Sequence, residues 1–418
     1  MAGTTPTAGQ EWRSHWPLVT AGLAGLSFYS IITYSLGTFM EPLEKAFGWS
    51  RAEVSFGLTL FAATAMLGGP LVGMAIDRFG TRRIAAVGMA LSSLAFAAIG
   101  LTSGNILVWY GLILLYAVIS LSAKATIWSA GISSVFNAGR SLALATMLSG
   151  TALAQSLAPI AANHLIERFD WRAAYWGLGL IWGGLATLLV ALFFIDARAL
   201  GRRRPDQAAA PSVPLGGLTP REALRDPRIL RIAGANLAAS LVGSGISVHM
   251  VPILSETVAG RATAVQLMAI GFAAGLAGKL LFGWALDRWQ SSLVPFMAYA
   301  LSGAAYLLLL DVFKSIPVLA GAVFLWAFSA GASLQTTTYL VSRYAGLRAF
   351  GTIFGVISSM MMAGTALSPW ISGLIHDATG SYTGLLTVAG PVALIAGLLL
   401  LGLGPYPDYS ADNKPLPA

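Results

Sequence analysis

The sequence predicts an all-α membrane protein of twelve transmembrane helices arranged as two pseudo-symmetric halves of six. Three observations carry that expectation. Hydrophobic residues fill 56% of the 418 positions and charged residues only 10%, whereas soluble domains carry about 25% charged residues. Apolar runs of about 20 residues recur, each long enough to cross a hydrocarbon core about 30 Å thick as a helix. The short alternating segments of a closed barrel do not occur. Finally, shifting the first half by 210 residues superposes Gly73 on Gly283, Asp77 on Asp287, Arg78 on Arg288 and Pro159 on Pro369, so the chain contains an internal duplication.

The first span, near 17–40, has no basic lead and is too long for a signal peptide, so it is expected to remain in the protein. It carries Tyr29 and Tyr34. Spans near 53–75 and 83–102 flank the polar stretch that holds Asp77, Arg78 and Arg82. The fourth, near 106–134, carries Tyr116, Ser120 and Lys124, whose spacing by four predicts one helix face. Arg140 opens the fifth, near 141–164, and the sixth lies near 172–195.

Residues 196–228, rich in arginine, proline and alanine, read as a cytoplasmic linker between an N-terminal half, 1–195, and a C-terminal half, 229–404. Spans seven to twelve lie near 229–254, 263–286, 293–311, 315–341, 350–376 and 383–404. The seventh carries Asn236, Ser240 and His249, the eighth Lys279, and the tenth Gln335, Thr336, Thr338 and Tyr339. The proline-rich end, 405–418, is expected to be a disordered cytoplasmic tail.

The net charge of +8 would suit nucleic acid if it formed a patch, but its distribution points elsewhere. With the N-terminus inside, 17 of the 25 lysines and arginines fall on inner segments and 6 on outer ones. That bias is the positive-inside pattern of a multi-pass protein of the inner (plasma) membrane with both termini cytoplasmic. The partners expected are therefore lipid and a small cargo, not nucleic acid. There is no cysteine, so disulfides, thiolate metal sites and cysteine nucleophiles are excluded. No HExxH, GxSxG or clustered carboxylates occur, and the Gly278–Lys279 pair lacks the rest of a phosphate loop. No enzyme activity and no cofactor are expected.

The remaining two cations, Lys124 and Lys279, each stand alone inside an apolar span with no acid nearby in sequence. A charge at membrane depth costs roughly 2.5–3.5 kcal/mol on insertion scales, so it normally faces a wet interior. Both are read as ligands of an anionic cargo. The plainer reading is a stem that snorkels to the interface or an ammonium that bonds helix carbonyls. The repeat counterpart of Lys279 is Gly69, so the duplicated scaffold departs from symmetry at this charge. No aspartate or glutamate falls mid-span, which leaves nothing to bind Na⁺ or a cationic drug.

The stretch GMAIDRFGTRR from Gly73 and its repeat GWALDRW from Gly283 resemble the loop signature of the major facilitator superfamily, and with the duplication the resemblance spans essentially the whole chain. FGWSRAEVS from Phe47 and VHMVPIL from Val248 resemble bacterial members of its monocarboxylate porter branch, relatives of the oxalate and formate exchangers. The resemblance implies a major facilitator fold, helices one, four, seven and ten around a central cavity, and carriage of a small monocarboxylate of the lactate or pyruvate class with a proton by alternating access. Exchange or symport of oxalate-like dicarboxylates or aromatic carboxylates is the alternative. The chain departs from the branch at Lys279, where several members carry a basic residue that is often arginine, and at Gly275, where some animal members place an aspartate; the oxalate-type relatives carry a second cation on helix eleven, and here that helix has none.

On that basis the substrate-binding candidates are Lys279, Lys124, Tyr116, Gln335, Tyr339, Tyr29 and Asn236. His249, near the outer end of helix seven, is the candidate for proton coupling. Asp77, Arg78, Arg82, Arg140, Asp287 and Arg288 are implied as a cytoplasmic gate, in which acids at helix ends bond an arginine or a helix N-terminus in one state and release it in the other. A non-transporting receptor on the same fold is the reading from a different class.

Overall fold

The computed structural model describes residues 7–136, 139–195, 217–289, 291–346, 348–407 and 409. Within helices, the side chains at 69–71, 73–78, 134, 140, 141, 272, 287, 334, 335, 350 and 351 lie outside the described set. The described elements are helices, with one isolated bridge between Gly217 and Gly346. The helices of the first half are α1 (Ala8–Phe47), α2 (Arg51–Phe79), α3 (Thr81–Ala98), α4 (Ile106–Ser120), α5 (Ala125–Val135), α6 (Arg140–Leu148), α7 (Gly150–Arg168), α8 (Trp171–Gly177) and α9 (Gly183–Phe193). After a short α10 (Pro220–Ala223) come α11 (Pro227–Ser255), α12 (Gly260–Leu267), α13 (Ile270–Arg288), α14 (Leu293–Leu308), α15 (Ile316–Ala345), α16 (Phe350–Thr379) and α17 (Thr383–Leu400).

Each of the twelve expected spans falls on a helix or on two helices in tandem. Among the described residues, nine helical stretches are long and apolar enough to cross a membrane, and α13 and α14 contain shorter apolar helices. Their ends carry local signals. Asn105 Oδ1 accepts from Leu107 N at 2.9 Å ahead of α4, and Asp170 Oδ1 from Ala173 N at 2.6 Å ahead of α8. Thr219 and Glu222 form a reciprocal capping box at α10, and hydrogen bonds from Thr219 hold the exposed Glu222 carboxyl below its ordinary range. Gly48 and Gly380, both at positive φ, close α1 and α16 by bonding Glu44 O and His376 O.

Contacts group the chain into two compact units, Met1–Arg204 with Met250–Pro252, and Pro205–His249 with Ile253–Ala418. In unit 1 an aromatic layer, with Phe39 stacked on Tyr175 at 4.0 Å, Phe96 and Trp109, fills the space among α1, α3, α4 and α8. The sixth span is wound as a π turn over Leu178–Trp182. Close packing explains it. A Cβ on Gly179 would stand 2.7 Å from Ala97 N, and Ser93 Oγ donates to the Gly179 carbonyl at 2.6 Å, so the displaced backbone group keeps a partner.

In unit 2 the tightest crossing joins α13 and α15. A Cβ on Gly278 would lie 1.9 Å from the Phe328 carbonyl oxygen, and one on Gly331 would lie 2.3 Å from the Gly275 carbonyl oxygen. Gly278→Ala therefore forces two backbones apart and is expected to cost about 1–3 kcal/mol. A lowered midpoint of thermal unfolding in detergent is the measurement that checks it.

The C-terminal segment departs from the expected disorder over its described part. Arg231 Nε donates to the Leu399 carbonyl at 2.8 Å, and the same guanidinium bonds the Leu401 carbonyl, so the exposed carbonyl end of α17 is capped by a cation. Tyr344 OH donates to Gly404 O at 2.7 Å, and the Tyr406 ring lies under the Arg343 guanidinium at 4.8 Å. Proline content suggests a free chain, but three tyrosines, counting Tyr409 bonded to Tyr344 O, dock residues 404–407 and 409 onto the end of α15.

Candidate functional site

Lys124 does not continue the helix face of Tyr116 and Ser120. α4 ends at Ser120, a 3-10 turn follows over Leu121–Ala123, and Lys124 is extended at φ −67° and ψ 152° before α5 begins. Proline and glycine are absent from this break. Its serines supply the cause: Ser120 Oγ donates to Ala117 O at 3.0 Å and Ser122 Oγ to Ile119 O at 2.6 Å, in competition with the helical ladder. Ser122 is also wedged where a Cβ on Gly88 would meet its Oγ at 1.9 Å. The Ala123 carbonyl released by the break accepts from Trp128 Nε1 at 2.7 Å.

The half-buried Lys124 ammonium reaches across to α2 and donates to the Ala65 carbonyl at 2.6 Å. One of its three donors is therefore used inside the protein, as the helix-carbonyl alternative requires. One turn before Ala65, Phe61 stacks on the buried Tyr116 ring at 5.7 Å and 12° and packs against Tyr29 at 5.4 Å. Unit 1 thus gathers Tyr29, Tyr116 and Lys124 around the Phe61–Ala65 turn of α2. Tyr116 OH is buried and has no hydrogen-bond partner among the described residues. As an apolar residue Phe61 carries no mark of a cavity position in the sequence beyond its helical spacing with Ala65.

Lys279 sits in the middle of α13, nine residues before Arg288, which is about 13 Å along the axis. It lies beside the glycine crossing, three and four residues from buried Phe282 and Gly275. Leu280, Leu281 and Trp284, more than half exposed, mark the opposite, lipid-facing side of the helix. Among the described residues no hydrogen bond or ion pair engages its ammonium. A cation turned from lipid and left without a counter-charge is the state that a carboxylate would neutralise.

The other residues of unit 2 divide. Asn236 is buried and engaged on both sides of its amide, with Nδ2 donating to Ile232 O at 2.8 Å and Oδ1 accepting from Tyr299 OH at 2.9 Å and from Thr337 Oγ1. That network ties α11 to α14 and α15. Tyr339 lies toward the end of α15, its ring 6.2 Å from Tyr406 and 5.8 Å from the Arg343 guanidinium. The side chain of Gln335 lies outside the described residues.

His249 is fully buried, with Nε2 3.0 Å from the Pro369 carbonyl and Nδ1 2.6 Å from Tyr382 OH. One turn earlier α11 and α16 are bonded directly, with Gly245 N donating to Ser368 Oγ at 2.7 Å and Ser244 Oγ to Thr365 O at 3.1 Å. Pro369 cannot donate to that Thr365 carbonyl, which explains why a serine does. Of the residues expected to form a gate, Arg82 and Arg288 are exposed at the start of α3 and the end of α13. The side chains of Asp77, Arg78, Arg140 and Asp287 lie outside the described residues. The acid found beside the N-terminus of α6 is Glu11, which accepts from Gly139 N at 2.9 Å; its place in the polar lead of α1 gave no hint of this.

The Major Facilitator Superfamily model matches residues 22–364 and, in a second overlapping match, residues 232–417. Monocarboxylate transporter 11 of Homo sapiens is 26% identical over 410 residues, which cover 93% of this chain and 82% of that protein. The uncharacterized MFS-type transporter YcxA of Bacillus subtilis is 25% identical over 387 residues, covering 88% and 90%. A crystal structure of a bacterial homolog of the human lysosomal transporter Spinster, inward-facing and occupied, aligns with a TM-score of 0.71 at 16% identity over 95% of this chain and 97% of that one. At that identity the likeness speaks for the fold alone.

Proposed function

The chain belongs to the major facilitator superfamily and is a multi-pass membrane transporter related to the monocarboxylate transporters, and we propose that it carries a small monocarboxylate of the lactate or pyruvate class together with a proton. The observation that carries this reading is Lys279, a mid-helix ammonium turned from lipid with no counter-charge among the described residues. A carboxylate cargo neutralises it, and a co-transported proton makes the complete transport cycle carry no net charge across the membrane. Lys124 is the second cation, bonded to α2 one turn from the Phe61 ring on which Tyr29 and Tyr116 pack. By this reading the carrier opens alternately to the two sides of the membrane.

The arginine bias supports a topology with both termini in the cytoplasm and the carrier in the inner, plasma membrane. Asp77, Arg78, Arg82, Arg140, Asp287 and Arg288 then lie at the cytoplasmic face as its gate. The second reading, exchange of oxalate-like or aromatic carboxylates, is favoured by one feature, the second cation at Lys124. Proteoliposomes with an imposed pH gradient decide between them. Accumulation of labelled L-lactate or pyruvate driven by external acid without internal carboxylate is expected. Uptake that requires preloaded internal anion assigns exchange instead.

A further inference from the structure

At the end of unit 2 opposite the Arg231 cap, three helix termini meet around a cluster that the cargo reading does not use. α11 ends just before Glu256, α16 ends past His376 and Asp377, and Tyr382 precedes α17. His376 Nε2 lies 3.0 Å from Glu256 Oε1, and its Nδ1 lies 3.8 Å from Asp377 Oδ1. The His376 ring packs on the Tyr382 ring at 4.6 Å, and Tyr382 OH meets His249 Nδ1 at 2.6 Å. Among the described residues, charged groups near this end include Asp311, which accepts from Val258 N at 2.9 Å, Lys314 at 3.5 Å from Asp311, and Arg261 in the first turn of α12.

The hydrogen-bond partners fix where protons sit. The Pro369 carbonyl only accepts, so His249 Nε2 carries hydrogen; in the neutral ring Nδ1 is then the acceptor and Tyr382 OH the donor. An ionised Glu256 likewise makes Nε2 the donor on His376. That leaves the His376 Nδ1 lone pair, which is buried and has no hydrogen-bond partner among the described residues, facing a second carboxylate. A proton taken up at Nδ1 gives an imidazolium with a carboxylate at each nitrogen, in the last turn of α16, where the helix dipole favours a cation.

We propose that His376, between Glu256 and Asp377, is the site at which this carrier takes up its external proton, and that Tyr382 positions it relative to His249 on α11. The step forms one N–H bond at Nδ1, breaks one O–H bond of a hydronium ion on the outer side and leaves a water molecule, with no bond broken in the protein. The proposal rests on proton-linked carriage and on the topology in which this end of unit 2 faces outward.

The full-length protein in proteoliposomes tests it, with labelled L-lactate, pyruvate, benzoate and oxalate as probes and external pH varied between about 8 and 5. His376→Gln keeps a donor toward Glu256 but takes up no proton. Its gradient-driven accumulation should fall about tenfold, and any residual uptake should no longer rise with external acid. Asp377→Asn removes the charge facing Nδ1, so uptake should need a more acidic exterior to reach half its maximum. A wild-type pH profile in His376→Gln overturns the assignment while proton linkage stands. Loss of all uptake in His376→Gln with an unshifted Asp377→Asn profile also overturns it, making the cluster structural. If the wild-type protein accumulates none of the four probes under a pH gradient, proton linkage itself falls.

Discussion

Lys279→Ala is expected to abolish carboxylate uptake without loss of folded protein. Removing one partner of a desolvated charge pair costs about 2–5 kcal/mol, which corresponds to an affinity loss of roughly 30- to 5,000-fold. The same substitution breaks no hydrogen bond or ion pair in the structure, since none engages this ammonium among the described residues. It also relieves the cost of holding a charge at membrane depth. The thermal midpoint in detergent should therefore stay level or rise while transport is lost. That opposition separates a cargo ligand from a structural lysine, whose removal lowers both. Lys279→Arg keeps the charge on a planar fork that cannot repeat the ammonium's geometry, so it should retain only part of the uptake. The measurement is the initial rate of labelled pyruvate entry beside the unfolding midpoint. A near-normal rate for Lys279→Ala removes the assignment.

The features legible in the sequence were those that depend on many residues at once. Apolar runs locate every span, because crossing lipid constrains some twenty positions together. Single-residue geometry was not legible. The break before Lys124 is made by serine hydroxyls and by Ser122 lodged against Gly88, with neither proline nor glycine to announce it. The π turn at Leu178–Trp182 likewise depends on contacts with Ser93 and Ala97, about eighty residues earlier.

The candidate site shows the same division. Lone lysines stand out in composition, but their partners do not: the Ala65 carbonyl is a backbone atom, which no residue-type search can find. Asn236 looked like a cavity residue because it is polar and mid-span, yet its amide is matched by Tyr299 and Thr337, distant in sequence and adjacent in space. His376 and Glu256 were passed over for the opposite reason. Each lies at a helix end, where charge is ordinary, and only the meeting of three termini gives them a common role.

Lys124→Met should separate the two roles open to the first unit's cation. The ammonium bonds the Ala65 carbonyl at 2.6 Å, and a hydrogen bond from a charged donor contributes about 1.5–3 kcal/mol. Methionine keeps most of the stem's volume, so the loss falls on that bond and on the charge. A lower unfolding midpoint is therefore expected whichever role holds. Cargo selection is the discriminating readout. If Lys124 adds a second positive charge to recognition, oxalate or malonate should inhibit labelled pyruvate uptake more strongly than lactate does in the wild type. Lys124→Met should then weaken the dianions by roughly 10- to 150-fold, the same energy expressed as affinity, and leave lactate much less affected. If the midpoint falls and the order of inhibitors does not change, the ammonium serves only to join the break to α2. A single cation, Lys279, would then suffice for a cargo with one carboxylate, which would favour monocarboxylate carriage over dicarboxylate exchange.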